Sequence, residues 1–286
     1  FSSVARNWDR AYPGAMRRAI FTPMYAYLPY CTTNRYPQAD FRVHLDMQMQ
    51  LLATDPGFFG LWGVQPYRSN YVDEEILNCM ARLLRHYCIE GETERLSDAP
   101  YLLTHIQNPD FADGTEGWTL QPAAEGSIRA EEATQFGKFI GRYYRGPDTF
   151  LVTERHAGQA NVVSQRISGL VAGRTYSVKM FTGDYGDFVE GASKRQKHGA
   201  ALTIGGAELL EGKPYSYQEP FPTRGRQGSF TDKSPFWLNY HQQAFRAQGE
   251  NAELRITDEK CAEGQKVLYT FVEVKPYLMA EDGPGR

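Results

Sequence analysis

The sequence predicts two folds in series, an α/β portion over its first third and an all-β sandwich over the rest. Three observations carry that division. Apolar residues recur at helical spacing over 41–53 and again over 71–88, with a short uncharged apolar run between them. From Asn108 onward the pattern changes to strand-length segments broken by Gly, Pro and Asp. The chain is also rich in rings, with 18 Tyr, 16 Phe and 4 Trp among 286 residues, which suits a β-rich core. That length accommodates two domains. The boundaries fall at 1–91, a linker at 92–106 and a sandwich at 107–280.

Residues 2–19 read as helix interrupted at Pro13-Gly14, where proline removes a donor and clashes with the preceding turn. Residues 20–28 follow as a strand bent at Pro23, then a polar, proline-containing loop over 29–40. A helix over 41–53 places Val43, Met47 and Leu51 on one face, and Asp55-Pro56-Gly57 ends it. The run Phe58-Phe59-Gly60-Leu61-Trp62-Gly63-Val64 is apolar and uncharged, as a strand buried in a parallel sheet should be. A second amphipathic helix over 71–88 carries Ile76, Leu77, Met80, Leu83, Leu84 and Tyr87 on its apolar face, with Gly91 as its stop. Cys79 and Cys88 lie ~13 Å apart along that helix and on opposite faces, so they cannot pair.

Helix, strand, loop, helix, strand, loop, helix is the unit of an α/β barrel or a doubly wound sheet. Two parallel strands leave open edges and cannot close a barrel. The chain begins at Phe1 without a methionine or a leader. The first third is therefore expected to be the last strands and helices of a (β/α)8 barrel, its missing strands lying upstream or on another chain. Phe59-Gly60-Leu61-Trp62-Gly63-Val64 resembles the eighth strand of a glycoside-hydrolase barrel, whose site lies at the C-terminal ends of the strands. The resemblance implies sugar-facing roles for Tyr25 and Tyr27 after the earlier strand, and for Trp62, Gln65, Tyr67 and Arg68 after the later one. Glycoside hydrolysis needs a pair of carboxylates, yet residues 25–36 contain neither Asp nor Glu. Asp40, Asp46, Asp73, Glu74 and Glu75 read as helix-terminal or surface carboxylates. The catalytic pair is unassigned, lying upstream or absent.

The second part opens with Asn108-Pro109-Asp110-Phe111-Ala112-Asp113-Gly114-Thr115-Glu116-Gly117-Trp118. Its Asn-Pro and Asp-Gly pairs form turns, and Phe111 and Trp118 anchor an opening strand, Trp118 as core. Strands follow over 136–144 and 150–153. The segment 161–181, with Gln165, Ile167, Gly169, Leu170, Gly173, Thr175 and Tyr176 at its marked positions, reads as a hairpin. Alternation gives it a wet face of Thr175, Ser177 and Lys179 and a buried face of Tyr176, Val178 and Met180. Strands over 241–247, 252–257 and 268–276 complete the pattern. The opening stretch and this hairpin resemble jelly-roll carbohydrate-binding modules with a galactose-binding-like fold, over residues 107–278. The resemblance implies a jelly-roll sandwich that braces the barrel or holds a polysaccharide or oligosaccharide, in a secreted or periplasmic protein.

Between Gly183 and Tyr240 two segments depart from a compact sandwich. Residues 194–198 read as a solvated basic turn, and 214–222 as a loop rich in rings and proline. A sugar platform needs exposed rings beside planar polar groups. Tyr185, Tyr215, Tyr217, Trp237 and Tyr240 are the candidates, and each also suits the ordinary use of filling the sandwich edge. Modules of this family often carry a structural calcium, a hard cation held by oxygen ligands. Asp110, Asp113 and Glu273 are the carboxylates placed for it, although Ala112 stands where the family often has Glu. No other cofactor is required.

The six His show no metal spacing, and the chain has no phosphate loop, nucleophile elbow or Cys-x-x-Cys. A net charge of −3 and a pI near 6.1 make no case for nucleic acid or an anionic membrane. No apolar run approaches the ~20 residues that span a bilayer. The competing reading is a non-catalytic polysaccharide-binding or structural, adhesion module.

Overall fold

Helical elements precede strands along the chain, and they gather into two units that divide between Leu102 and Leu103. The computed structural model describes residues 2–23, 38–66, 74–133, 148–190, 196–210, 215–221 and 238–277.

In the first unit, α1 (Ser2–Ala11) leads through a tight turn at Met16–Arg18 into β1 (Ile20–Phe21). Then come α2 (Phe41–Thr54), β2 (Gly63–Val64) and α3 (Glu74–Leu84), the last closing in a wide turn over Arg85–Ile89. β1 and β2 pair in parallel, Ile20 opposite Gly63 and Phe21 opposite Val64. Residues 58–64 do not form the continuous buried strand that their composition suggests. Asp55 accepts the backbone N–H of Gly57 and caps a 3-10 turn at Pro56–Phe58, so Phe58 is buried while Phe59 and Trp62 are exposed.

The buried face of α2 also differs from the apolar stripe read in the sequence. Of that stripe Val43 is buried, with Arg42, Leu45, Asp46 and Met49 beside it, whereas Met47 and Leu51 are exposed. Two buried charged residues on the inward face hide its periodicity. Arg42 donates to Asp40 at 2.7 Å and to Glu75 on α3 at 2.8 Å. Burial alone would lower its pKa, but the two carboxylates more than offset that and hold the guanidinium charged. Asp46 accepts Tyr87 Oη–H at 2.6 Å and the backbone N–H groups of Leu96 and Ser97, tying the segment after α3 onto α2.

The second unit is a jelly-roll sandwich of two antiparallel sheets. The smaller sheet has the order β3 (Thr119–Gln121), β6 (Val162–Ile167), β12 (Ala252–Thr257) and β8 (Ala201–Gly205). The larger runs β10 (Tyr215–Phe221), β11 (Leu238–Ala247), β7 (Thr175–Asp184), β13 (Lys266–Pro276), β5 (Asp148–Glu154) and β4 (Ile128–Ala133). β9 (Ala207–Leu209) pairs beside β10 along the same edge of β11.

From β5 to β8 and from β11 to β13 each strand lies in the other sheet from the one before it. β6 and β7 do not form a hairpin. They lie in opposite sheets, and Gly169 (φ 67°) and Gly173 (φ 82°) let the chain arch between them while Leu170 stays in the core. Phe111, Trp118, Tyr176, Phe245, Leu254 and Tyr269 fill the space between the sheets. The strand expected over 136–144 lies outside the described residues.

Both faces of β7 are buried, so it has no wet face. Ser177 and Lys179 are 0% exposed. β7 is central, flanked by β11 and β13, and Lys179 stands opposite Glu273 with its ammonium 6.0 Å from the Tyr240 ring. A bulge in β13, with Phe271 at φ 56°, shifts the register between Thr270 and Glu273, and Val272 N–H there donates to Pro109 of the opening loop.

Candidate functional site

A cleft of about 520 Å³ opens between the two sheets, beside the edge strand of the smaller one. The segment leading into β8 supplies Lys197 and His198, β11 supplies His241 and Gln243, and the turn after β12 supplies Glu259 and Lys260. The backbone packs closely here. A Cβ on Gly199 would lie 2.1 Å from Lys260 O, so glycine is what allows His198 to reach the interior.

Thr182 on β7 joins the two imidazoles. Its Oγ1 lies 2.9 Å from His198 Nδ1 and 2.8 Å from His241 Nε2. Asn239 fixes the segment that carries His198, accepting His198 N–H at 3.0 Å and donating Nδ2–H to Gln196 O at 2.9 Å. Burial pushes His198 down to about 4, against a smaller upward pull from Asp184. Burial pushes His241 down to about 3, helped by the charges of His198 and Lys197. Both rings are therefore neutral at pH 7. His198 Nε2 is buried without a hydrogen-bond partner. An unsatisfied buried polar atom costs roughly 1–3 kcal/mol, so it calls for a partner.

A second depression, about 530 Å³ and shallower, lies on the outer face of the smaller sheet. Thr119, Ser164, Arg166, Asn251 and Glu253 border it, and Arg166 donates to Asn251 at 3.0 Å.

The residues singled out in the sequence are placed as follows. Tyr25, Tyr27, Tyr67, Arg68 and Trp237 lie outside the described residues. Trp62 is 74% exposed but precedes β2, so it is not at the strand's C-terminal end; exposed Gln65 is. Tyr240 is 2% exposed and packs on Phe181, so it presents no ring face to a ligand. Tyr215 and Tyr217 lie in β10, and Tyr217 pairs with Tyr240. Tyr185 is half-buried, donating to Glu131 at 2.7 Å beneath the Arg129 guanidinium.

The calcium set does not assemble. Glu273 is buried against Lys275 at 3.1 Å, whereas Asp113 is exposed. No group of three His, Cys, Asp or Glu side chains among the described residues could hold a metal. His198 is not on a solvated turn as expected but is 1% exposed. The histidine pair escaped sequence reading because its members are 43 positions apart and meet only through strand register.

No protein-family model matches the chain, and no curated protein is similar to it. Among solved structures, the enzymatically active domain of tailspike protein 4 of bacteriophage CBA120 aligns at 11% identity over 62% of this chain, with a TM-score of 0.37. The chain spans only 22% of that domain. The carbohydrate-binding module TmCBM61, solved with β-1,4-galactotriose, aligns at 14% identity over 60% of this chain and 97% of its own, with a TM-score of 0.35. A cyclase from Fischerella sp. TAU, solved with 4-(1H-indol-3-yl)butan-2-one, aligns at 10% identity over 61% and 98%, with a TM-score of 0.39. Among the described residues no helix is long and apolar enough to cross a membrane.

Proposed function

We propose that the sandwich is a non-catalytic carbohydrate-binding module, carried in a secreted or periplasmic protein. The cleft between its sheets supports this reading. It is lined by imidazole, amide, ammonium and carboxylate groups, the mixture of donors and acceptors that adjacent sugar hydroxyls require. Its volume falls in the range of roughly 300–1,000 Å³ typical of small-molecule sites. The opening Asn108-to-Trp118 stretch and its resemblance to carbohydrate-binding jelly rolls point the same way. Affinity electrophoresis through gels containing galactan, xylan, mannan or β-glucan tests it. Retardation in at least one polysaccharide is expected, and unretarded migration in all of them overturns the reading.

The parallel pairing of β1 and β2 favours a second reading for the first unit. Parallel strands are ordinarily buried within larger sheets, and here only two residue pairs are joined. On this reading the unit is the closing part of a (β/α)8 glycoside-hydrolase barrel, with its other strands and its carboxylate pair supplied from outside the chain. A longer polypeptide from the native source that releases reducing sugar from a retained polysaccharide is the expected result. A native product of 32.4 kDa without such activity removes this reading.

A further inference from the structure

The hydroxyl of Thr182 has one proton to share between two rings. If it donates to His241 Nε2, it accepts from His198 Nδ1–H, and His198 Nε2 is a bare acceptor. If it donates to His198 Nδ1, then His241 Nε2–H donates to it and His198 Nε2 carries a proton. In either arrangement Nε2 lacks a protein partner, and His198 is one of the residues that line the cleft. A carboxylate satisfies only the protonated form and an ammonium only the bare one. A hydroxyl satisfies both, donating to one and accepting from the other. The charged groups at the rim, Lys197, Lys260 and Glu259, are exposed and differ by one charge in total, so they give little preference for a strong anion.

We propose that this cleft is the sugar subsite of the sandwich and takes a neutral pyranose, one of whose hydroxyls pairs with His198 Nε2. The proposal rests on the carbohydrate-binding reading above and assigns its site and ligand class. Thr182 and His241 are positioning residues: they hold the His198 ring and set its tautomer through the shared hydrogen bonds.

The test is NMR of the full chain labelled with ¹⁵N, following the histidine ring nitrogens during titration with galactose, glucose, mannose and galacturonate. The His198 ring signals are expected to move saturably with a neutral hexose. His198→Ala should weaken binding roughly tenfold, the scale of one lost hydrogen bond to a buried group. Thr182→Val should weaken it and also change the tautomer signature of unliganded His198. The wild-type ring signals need no variant, so a misfolded His198→Ala does not remove the test. If sugar binds but shifts are confined to Arg166, Asn251 and Glu253, the carbohydrate reading stands and this assignment falls. Preference for galacturonate overturns the neutral ligand class. No response to any sugar, together with no retardation in polysaccharide gels, overturns both.

Discussion

Asp258 receives both nitrogens of Asn161, the backbone N–H at 2.8 Å and Nδ2–H at 2.6 Å, with both residues fully buried. Asn161 Nδ2 also donates to Glu154 O at 2.7 Å, and its Oδ1 accepts from Ala123 N at 2.8 Å and Ser127 Oγ at 2.6 Å. One side chain thus joins β5, the turn before β4 and the end of β12. Asn161→Ala strands several of these groups in the interior. A loss of roughly 3 kcal/mol is expected in urea unfolding. A change below about 0.5 kcal/mol, the scale of an ordinary surface substitution, would sink the network as a stabilising device.

Arg42 gives a parallel case in the first unit. Arg42→Met leaves Asp40 and Glu75 buried without their shared cation, at an expected cost of roughly 3–5 kcal/mol. Removing Glu75 as well, with Arg42→Met and Glu75→Leu together, should recover part of that loss, because Asp40 is then the one member of the ion group left buried and it still accepts the backbone N–H of residue 42. Differential scanning calorimetry of both variants decides it. A double variant less stable than the single one contradicts the argument.

The opening of the sandwich was legible because its chemistry is local. Asn108, at φ 45°, accepts Asp113 N–H and donates to the carbonyls of Gly114 and Glu116, and Trp118 Nε1–H donates back to Asn108 O at 3.0 Å. All of this lies within eleven consecutive residues, so Asn, Gly and Trp announce it in order. Strand existence was legible for the same reason, since alternation is a short-range signal. The burial of both faces of β7 was not. That depends on β11 and β13 flanking it and on what covers the sheet, and Lys179 on its buried outer face misled the pattern. The histidine pair required knowing that His241 stands opposite Met180, two residues from Thr182, a register no single segment encodes.

Gly199 separates a steric requirement from a conformational one. Its Cβ would meet Lys260 O at 2.1 Å and Cys261 N at 2.4 Å, both backbone atoms that cannot swing away. Gly199→Ala should cost roughly 1–3 kcal/mol or more through forced backbone shifts, and it should also disturb the His198 ring signals. Gly249 has nothing within 4 Å of its Cβ position. Gly249→Ala should be neutral or slightly stabilising, by up to ~1 kcal/mol, through the unfolded chain. Equal effects of the two substitutions would contradict the close approach at Gly199.

Acid should weaken the sandwich through its histidines before it titrates most carboxylates. His198 and His241 are held at about 4 and about 3 against 6.5 in the unfolded chain. Between those values the unfolded state binds more protons, so stability is full above pH 6.5 and falls as pH drops toward 4. The slope is about 1.4 kcal/mol per pH unit for each histidine. Asp184 opposes this for His198, whereas Lys197 and the neighbouring ring reinforce it for His241. Glu273 acts with the opposite sign. Burial raises its carboxyl against the pull of Lys275, so its contribution is present at low pH and lost as pH rises through its folded value. Comparing the wild type with a His198→Gln, His241→Gln variant cancels Glu273, because both proteins carry it. Urea midpoints from pH 4.5 to 7.5 should converge as pH falls, the wild type losing more. Parallel curves would mean that folding does not hold the pair's titration below that of the unfolded chain.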